Sequence, residues 1–341
     1  MLAVAYLLML SNKIRFMPSK NKPGKAKGKV VVITGASSGA GRAIAVELAR
    51  EGARLILAAR HEQALNEVVE ECNSLGGTAI AVSADTRYTD NMQELARAAY
   101  RTGGRIDMWV NNAGVLAAGE FDLLPAQVNE EVIRTNLVGY MNGAYAVLPY
   151  FKNQGTGILV NNISVGGWIV TPYAASYTAS KFGLRGFFES LKGELRNYPN
   201  IHICDLYPGF LDTPGMQHAA NYTGKALKPA PPVYDPRRVG RAVVRLFTLP
   251  QSTVTIGAAS GFLKLAYATF PVLTRNITAS VIRGYLQKAS PIENTMGNVI
   301  EPVEFGYNID GGWSNAPSKQ RLAKALVVIA AIAGLVLFQR K

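Results

Sequence analysis

Residues 29–41 read KVVVITGASSGAG, and this stretch decides the fold. A β-branched run ends at Thr34, and a helical pattern continues from the glycines to Arg50. Glycines here let the backbone turn tightly and approach a diphosphate, whose charge the N-terminal amides of the helix would meet. Strand, turn and helix in this order favour a dinucleotide site over a purely structural turn. The candidate cofactor contacts in the turn are Gly35, Ser37, Ser38, Gly39, Ala40 and Gly41.

Short apolar runs alternate with helical patterns as far as residue 257. Strands of this kind, separated by helices, are typical of a parallel sheet that is covered on both faces. The sequence therefore predicts an α/β fold. The predicted strands are Lys29–Thr34, Arg54–Ala59, Thr78–Ser83, Ile106–Asn111, Gly157–Ile163, Ile201–Leu206 and Thr253–Ile256.

The end of the second predicted strand bears on the choice of cofactor. Folds that take NAD usually place an acid near this point, where it binds the ribose 2′-hydroxyl. Here Ala59 stands at that position and Arg60 follows it. A guanidinium suits a 2′-phosphate, because its fork of donors matches phosphate geometry. The pattern favours NADP(H) over NAD(H), although Arg60 could also be a solvated residue at the start of a helix.

Tyr177, Lys181 and Ser164 are the candidate catalytic residues. Tyr177 and Lys181 are four residues apart on a predicted helix and so share one face. An ammonium beside the phenol favours the phenolate and lowers the tyrosine pKa, which suits a general acid or base. Ser164 ends a predicted strand at the edge where open α/β sheets bind ligands. A Tyr-x-x-x-Lys pair alone also occurs as an ordinary surface pair.

Taken together, these motifs resemble the short-chain dehydrogenase/reductase family. They occur in the order found in that family and cover about residues 28–257. The resemblance implies a single Rossmann-like, doubly wound domain of about seven parallel strands. The matching positions are TGASSGAG at 34–41, Asp85, Asn111-Asn112-Ala113-Gly114, Asn136, Ser164, Tyr177-x-x-x-Lys181, Pro208-Gly209 and Thr213.

The resemblance also implies a role for each matching residue. Tyr177 would exchange a proton with the substrate oxygen, Lys181 would lower the tyrosine pKa and hold the nicotinamide ribose, and Ser164 would position the substrate oxygen. Asn136 would hold a water that links Lys181 to solvent. No metal is implied, and members of the family commonly form homodimers or homotetramers. The remaining implied cofactor contacts are Asp85 and Thr86 at the adenine, the Asn111, Asn112, Ala113, Gly114 turn, and Pro208, Gly209 and Thr213 near the nicotinamide.

The charge of the chain is concentrated at its two ends. The net charge is +13, yet residues 1–29 and 317–341 contain bases and no acid. Basic ends beside apolar runs indicate an anionic membrane more than a nucleic acid, and the body shows no nucleic-acid motif. Residues 322–338 read LAKALVVIAAIAGLVLF and predict a C-terminal membrane anchor, with an amphipathic helix as the alternative. Residues 1–10 are either a short membrane-dipping segment or a disordered leader.

The predicted organisation has four parts. An apolar and basic leader spans residues 1–28, the catalytic domain 29–257, an extension 258–316 and the anchor 322–338. Two widely spaced cysteines suggest a reducing compartment, which places the catalytic domain in the cytoplasm of a membrane-associated protein. The composition, with 48% hydrophobic residues, excludes a disordered or collagen-like chain.

The substrate is expected to be a lipophilic ketone, aldehyde or secondary alcohol. Apolar residues follow Ser164 and recur in residues 210–236, where the substrate wall is predicted. The alternatives are a reductase of a soluble small metabolite and a membrane-tethered NADP-binding regulatory protein. The candidate wall residues are Trp168, Ile169, Val170, Met216, Tyr222, Leu227, Val233 and Tyr234.

Overall fold

The computed structural model describes residues 24–314. A seven-stranded parallel sheet, in the order β3-β2-β1-β4-β6-β7-β9, forms its centre. The expectation of a Rossmann-like sheet of seven strands is confirmed. The strands are β1 (Val30–Thr34), β2 (Arg54–Ala59), β3 (Thr78–Ser83), β4 (Met108–Asn111), β5 (Ala117–Ala118), β6 (Gly157–Asn162), β7 (Ile201–Pro208), β8 (Ala220–Asn221) and β9 (Thr253–Ile256).

Nine α-helices accompany these strands in the described part of the chain. Most of them cover the two faces of the sheet, as parallel strands require. The helices are α1 (Gly39–Arg50), α2 (Glu62–Ser74), α3 (Thr89–Gly103), α4 (Ala126–Ile133), α5 (Gly139–Gln154), α6 (Ala175–Glu194), α7 (Arg237–Leu246), α8 (Ala258–Thr269) and α9 (Pro271–Lys288).

The two faces of the sheet bury separate apolar clusters. Alternate residues of β1 supply them, because successive side chains of a strand point to opposite faces. Val31 and Ile33 join one cluster with the α1 residue Leu48. Val30 and Val32 join the other, which contains Trp109. All five residues of β1 are buried, as expected for a strand of a parallel sheet whose two faces are both covered.

The strand order places a ligand crevice beside β1. The chain proceeds outward from β1 to β2 and β3, and then returns to place β4 on the other side of β1. The loops that follow β1 and β4 therefore run in opposite directions across the sheet and leave a crevice between them. Open α/β sheets bind ligands at such a point, where the strand order reverses. The observed β4 begins at Met108 rather than at Ile106, because the Asp107 carboxylate accepts a hydrogen bond from Val30 N at 3.0 Å.

Residues beyond β9 form a helical pair and then a segment that returns to the body. Helices α8 and α9 each bury a single residue, Ser260 and Thr274 respectively. An antiparallel bridge between Asn221 and Thr295 then brings the chain back to β8, which pairs with β5 in a separate two-stranded sheet. Within residues 24–314, no helix is long and apolar enough to cross a membrane. The anchor predicted at 322–338 lies outside the described residues, as does most of the 1–28 leader.

Candidate active site

A cleft of about 390 Å³ opens at the carboxyl edge of the sheet. It runs from the glycine turn after β1, past the loop after β4, to the residues after β6 and β7. This is the crevice that the strand order creates. The structure brings most of the predicted site residues to its walls: Gly35, Ser37, Ser38, Gly39, Ala40, Arg60, Asp85, Thr86, Asn112, Ala113, Gly114, Ser164, Tyr177, Lys181, Pro208, Gly209 and Thr213.

The glycine turn is built for close approach of backbone to backbone. A Cβ on Gly35 would stand 2.6 Å from the Cα of Ala113, and Gly35 has a positive φ of 63°. A Cβ on Gly41 would stand 2.0 Å from the carbonyl oxygen of Gly35. Gly41 therefore serves to pack the helix against the turn and does not line the cleft. The turn leads into the N-terminus of α1, whose dipole favours an anion, although its first amide, Gly39 N, donates to the carbonyl oxygen of Asn308 at 3.0 Å.

Ser164 and Tyr177 lie side by side at the far end of the cleft. Ser164 has a φ of 107°, an unfavourable conformation for a serine that costs about 1–3 kcal/mol. Its Oγ accepts a hydrogen bond from Gly166 N at 3.2 Å, which fixes the hydroxyl. Burial raises the pKa of Tyr177, and a hydrogen bond with Ser164 partly offsets that rise. The pair can hold one substrate oxygen between two hydroxyls.

Lys181 is a buried ammonium with no hydrogen bond or ion pair among residues 24–314. It is 4% exposed, and its Nζ lies 5.5 Å from the ring centroid of Tyr177 and 5.3 Å from that of Tyr140. Burial lowers the pKa of Lys181 to about 7. A desolvated cation of this kind is costly unless a ligand completes its hydrogen bonds.

The effect of Lys181 on the pKa of Tyr177 stays a prediction. Burial raises the pKa of Tyr177, and the hydrogen bond with Ser164 lowers it by a smaller amount. Burial lowers the pKa of Lys181 to about 7, so its ammonium loses charge near neutral pH. The predicted electrostatic effect requires a Lys181 that stays charged.

Asn136 sits behind the catalytic residues rather than on the wall of the cleft. It occupies a single π-helical turn, Arg134–Val138, and is fully buried. Its Oδ1 accepts from Val115 N at 2.8 Å, and its Nδ2 donates to Val115 O at 2.9 Å and to Ser180 Oγ at 3.2 Å. The side chain thereby fixes the loop after β4, and its hydrogen bonds leave little capacity to hold the predicted water.

Arg60 reaches the opposite end of the cleft, but its guanidinium already has partners. Its Nη1 donates to Ile300 O at 2.7 Å and its Nη2 to Asn298 O at 2.5 Å. Burial lowers the pKa of Arg60, and the nearby Asp85 partly offsets that effect. Two further guanidinium N–H groups and Nε–H remain available for a phosphate.

Asp85 is paired within the protein rather than free for a ligand. Its carboxylate accepts from Arg87 Nε at 2.9 Å and from Arg87 Nη2 at 2.5 Å. Burial raises the pKa of Asp85, but the hydrogen bonds from Arg87 outweigh it and hold the pKa below its usual range. Glu131 also binds Arg87, at 2.7 Å. Asp85 still lines the cleft, so the adenine contact predicted for it stays a prediction.

Several predicted residues lie elsewhere. Asn111 is buried beneath the cleft, where Trp109 Nε1 donates to its Oδ1 at 2.8 Å and its Nδ2 donates to Asn161 Oδ1 at 3.0 Å. Trp168 packs on Tyr207 and is covered by the charged ends of Arg185 and Lys264. Of the predicted substrate wall, Ile169 and Met216 line the cleft; the positions outside it are Trp168, Val170, Tyr222, Leu227, Val233 and Tyr234.

The sequence did not indicate the wall that the C-terminal segment contributes. Asn298, Pro302, Val303 and Tyr307 line the cleft together with the glycine turn. These residues carry no periodic pattern, and their distance in sequence from the turn exceeds 250 residues. His61 was also missed; its ring lies 4.7 Å from that of Tyr307, centroid to centroid. Only the position of His61 beside Arg60 could have suggested it.

Comparison with known proteins supports the same assignment. The family described as short chain dehydrogenase matches residues 29–223. The chain belongs to this family. It is 31% identical over 328 residues to the uncharacterized oxidoreductase YxnA of Bacillus subtilis, covering 93% of this chain and 92% of the relative.

Two other relatives illustrate the range of the family. The 11-beta-hydroxysteroid dehydrogenase A of Sesamum indicum is 37% identical, over 54% of this chain and 53% of that protein. An alcohol dehydrogenase from the archaeon Thermococcus sibiricus, solved with 5-hydroxy-NADP, is 28% identical with a TM-score of 0.59. The similarity to the archaeal structure covers 67% of this chain and 95% of that one.

Proposed function

We propose that this chain is an NADP(H)-dependent oxidoreductase that interconverts a carbonyl group and the corresponding alcohol. The observation that carries the proposal is Lys181, a buried ammonium that has no hydrogen-bond or ion-pair partner within residues 24–314 and lies over the rings of Tyr140 and Tyr177. A structural lysine in such a place would be expected to have a counterion, as Lys192 has in Asp205 at 2.7 Å. An ammonium held without one points to a ligand that supplies hydroxyl groups.

The residues around the cleft fit a dinucleotide cofactor. Besides Lys181, the buried atoms Thr135 Oγ1, Asn162 Oδ1 and Asn298 Oδ1 belong to cleft-lining residues and have no hydrogen-bond partner in the described part of the chain. The glycine turn would hold the diphosphate, Lys181 the nicotinamide ribose, and Arg60 a 2′-phosphate. When bound, the nicotinamide supplies or accepts the hydride. Solved relatives with NADP or 5-hydroxy-NADP support the choice of NADP(H).

Tyr177 is the proposed general acid and base. Its raised pKa keeps the hydroxyl protonated at neutral pH, so it can donate a proton to a carbonyl oxygen as that oxygen gains charge. Ser164, held by Gly166 N, would orient the same oxygen. Burial lowers the pKa of Lys181 to about 7. Lys181 would therefore supply the proton that restores the Tyr177 hydroxyl after that hydroxyl has protonated the substrate oxygen.

The substrate is proposed to be lipophilic. The catalytic end of the cleft is lined by the apolar residues Val165, Ile169, Phe210, Leu211 and Met216, beside the polar groups of Ser164, Tyr177 and His218. Sites of this composition bind apolar molecules and use a small number of polar contacts for orientation. A relative whose name gives a hydroxysteroid as its substrate is consistent with this class.

The decisive experiment is NADPH oxidation by the full chain, measured over a panel of lipophilic and polar carbonyl compounds. Tyr177→Phe should lower kcat by about 10²–10⁴-fold, because it removes the proton donor and little else. Tyr145→Phe is the matched control, since Tyr145 is 64% exposed on α5. A lipophilic ketone or aldehyde should be the best substrate of the panel.

Different results would reject different parts of the proposal. Turnover that survives in Tyr177→Phe would exclude the tyrosine as the acid. A preference for polar sugars would reject the lipophilic substrate. NADPH binding without turnover in either direction would leave a cofactor-binding protein that is not an enzyme.

We further propose that the protein associates with an anionic membrane. Helices α8 and α9 carry the exposed apolar side chains of Leu265, Val272 and Val281, which are 51–66% exposed. The same two helices contain Lys264, Arg275, Arg283 and Lys288 and no acid. Exposed apolar groups among bases are typical of surfaces that dock on anionic lipid. The apolar run at 322–338 would strengthen this attachment.

Sedimentation with lipid vesicles tests the membrane proposal. The full chain should bind phosphatidylserine-containing vesicles more tightly than vesicles of phosphatidylcholine alone. Leu265→Asp should weaken that binding, whereas Leu249→Asp, on an exposed residue after α7, should not. Equal binding by the full chain and both variants would show that α8 and α9 do not contribute to the attachment. No binding to either vesicle would reject the association itself.

A further inference from the structure

The segment 298–308, which we call the C-terminal strap, crosses the open side of the cleft. Asn298, Pro302, Val303 and Tyr307 form one wall, beside the glycine turn and Arg60. The family match ends at residue 223, so it assigns no role to this segment. The cleft of this chain therefore includes a wall beyond the residues that the family model matches.

The strap is fixed at its ends and loosely held in its middle. Val299 is fully buried in a cluster with Val115 and Val128. Just past the other end, Ile309 packs against Ala43 and Val46 of α1. Residues 301–307 between these anchors are exposed or half-buried. Few buried apolar contacts hold the middle, which is held mainly by the buried His218 through Phe305 O at 3.0 Å and the Phe305 ring, so it can open by breaking these contacts while its anchors stay in place.

The middle and far end of the strap contact the elements that would surround a diphosphate. The carbonyl oxygen of Asn308 accepts from Gly39 N at 3.0 Å, and that of Tyr307 accepts from Arg42 Nη1 at 3.0 Å. His61 binds the strap twice, through the Tyr307 ring and through Glu304 at 3.2 Å. These contacts are polar and exchangeable, unlike those of the two anchors.

The beginning of the strap fixes Arg60. The carbonyl oxygens of Asn298 and Ile300 accept from its two Nη atoms, and Arg87 Nη2 donates to Ile300 O at 3.3 Å. A guanidinium held by two carbonyls loses much of its rotamer freedom before a ligand arrives. Beside it, Asn298 Oδ1 is buried without a partner in the described residues. That amide oxygen is an acceptor, so it can bind a hydroxyl or amino donor of a ligand in this corner and not the phosphate itself.

We propose that the C-terminal strap is the outer wall of the site for the adenosine 2′-phosphate half of the cofactor. It holds Arg60 in place for the phosphate, and its middle must lift before the cofactor can enter or leave. This inference rests on the proposed NADP(H) dependence. It assigns Tyr307 and the Asn298 and Ile300 carbonyls as positioning groups for cofactor binding, with no part in proton transfer.

Hydrogen exchange of the full chain tests the wall directly. The probes are NADPH, adenosine 2′,5′-bisphosphate for the adenosine half, and nicotinamide mononucleotide for the other half. NADPH and the bisphosphate should each slow exchange of the 298–308 amides by about tenfold or more, and the mononucleotide should not. Protection of the glycine turn by NADPH with unchanged exchange in 298–308 would overturn the inference.

Dissociation kinetics provide a second test. Tyr307→Ala should raise the NADPH dissociation rate about tenfold, because affinity changes within one site act mainly on dissociation. Asn308→Ala is the matched control, since its side chain is exposed and its carbonyl is retained. An unchanged rate in Tyr307→Ala would contradict the inference. If that variant does not fold, exchange in the unmodified chain decides.

The two proposals fail differently. Binding of neither NADPH nor NADH to the full chain would reject the proposed function and the strap's role with it. Tight NADPH binding that leaves the strap's exchange and the Tyr307→Ala dissociation rate unaltered would reject the strap alone.

Discussion

The cationic side chains at the two ends of the cleft differ in whether the protein supplies their hydrogen-bond partners. At the catalytic end, Lys181 is buried without a hydrogen-bond or ion-pair partner among residues 24–314. At the adenosine end, Arg60 and Arg87 donate to carbonyls and carboxylates of the protein. The catalytic end is thus incomplete by itself, whereas the adenosine end is stable before any ligand binds. The reacting part of a ligand should therefore be selected at the catalytic end. At the adenosine end, a ligand should bind only after existing contacts within the protein open.

Removing the Lys181 ammonium should have the largest effect on catalysis. Lys181→Met should lower kcat by about 10²–10⁴-fold, because the ribose contact and the proton path depend on that group. Steady-state rates with the best carbonyl substrate give the measurement. Lys264→Met, which removes an ammonium on α8 outside the cleft, should retain activity. Near-normal turnover in Lys181→Met would show that the unpartnered lysine is not part of the mechanism.

The same substitution should stabilise the cofactor-free protein. The pKa of Lys181 is about 7 when folded and about 10.4 when unfolded, so the unfolded chain binds more protons between these values and stability rises with pH there. Lys181→Met removes the cost of the buried charge and should raise the free energy of unfolding by about 1–3 kcal/mol at pH 6.5. That gain should shrink towards pH 10. Urea denaturation at both pH values measures it.

Lys192 supplies the matched contrast for the stability prediction. Its ammonium is paired with Asp205, whose side chain is fully buried. Lys192→Met should therefore destabilise the protein, because it leaves Asp205 without its counterion. Destabilisation by both substitutions would show that Lys181 is not an unsatisfied charge.

Arg60 tests the adenosine end. Arg60→Met should weaken NADPH binding by about 10- to 30-fold, roughly 1.4–2 kcal/mol, while NADH binding changes much less. Arg54→Met is the control, since Arg54 is exposed at the start of the same strand. Calorimetric titration with both cofactors measures the difference. Equal losses for NADPH and NADH would mean that Arg60 supports the strap without contacting a phosphate.

The smallest expected effect concerns the chain just past the strap. Asp212 is buried, which by itself raises its pKa, but hydrogen bonds from Ser314 and Trp313 hold that pKa below its usual range. Its contribution to stability is present above the unfolded pKa of about 3.9 and is lost as pH falls through the lower folded value. Asp212→Asn should cost about 1 kcal/mol at pH 7.

Urea denaturation and limited proteolysis of residues 298–314 check the Asp212 prediction. Asp122→Asn, at an exposed position, is the control. Proteolysis that is unaffected by Asp212→Asn would show that this carboxylate does not hold the end of the chain in place.

Residues 29–257 of the sequence determined the fold and most of the catalytic end. Local patterns were sufficient there, because β1 is buried on both faces and Tyr177 and Lys181 share one turn of α6. Strand ends differed by a few residues where a side chain replaced a backbone partner, as Asp107 does for Val30. Asn111 could not be placed from sequence, since its orientation depends on Trp109 and Asn161 across the sheet.

Only the tertiary structure decided what closes the cleft. The strap contacts Gly39 and Arg60 through main-chain carbonyl oxygens. Because every residue type has such a carbonyl, no sequence motif could predict these contacts. The protonation of Lys181 and Tyr177 was also undetermined by sequence, because burial sets it and burial is a property of the packed protein. Sequence specifies which groups exist and their local order; desolvation and long-range backbone contacts then determine which of them are free to act.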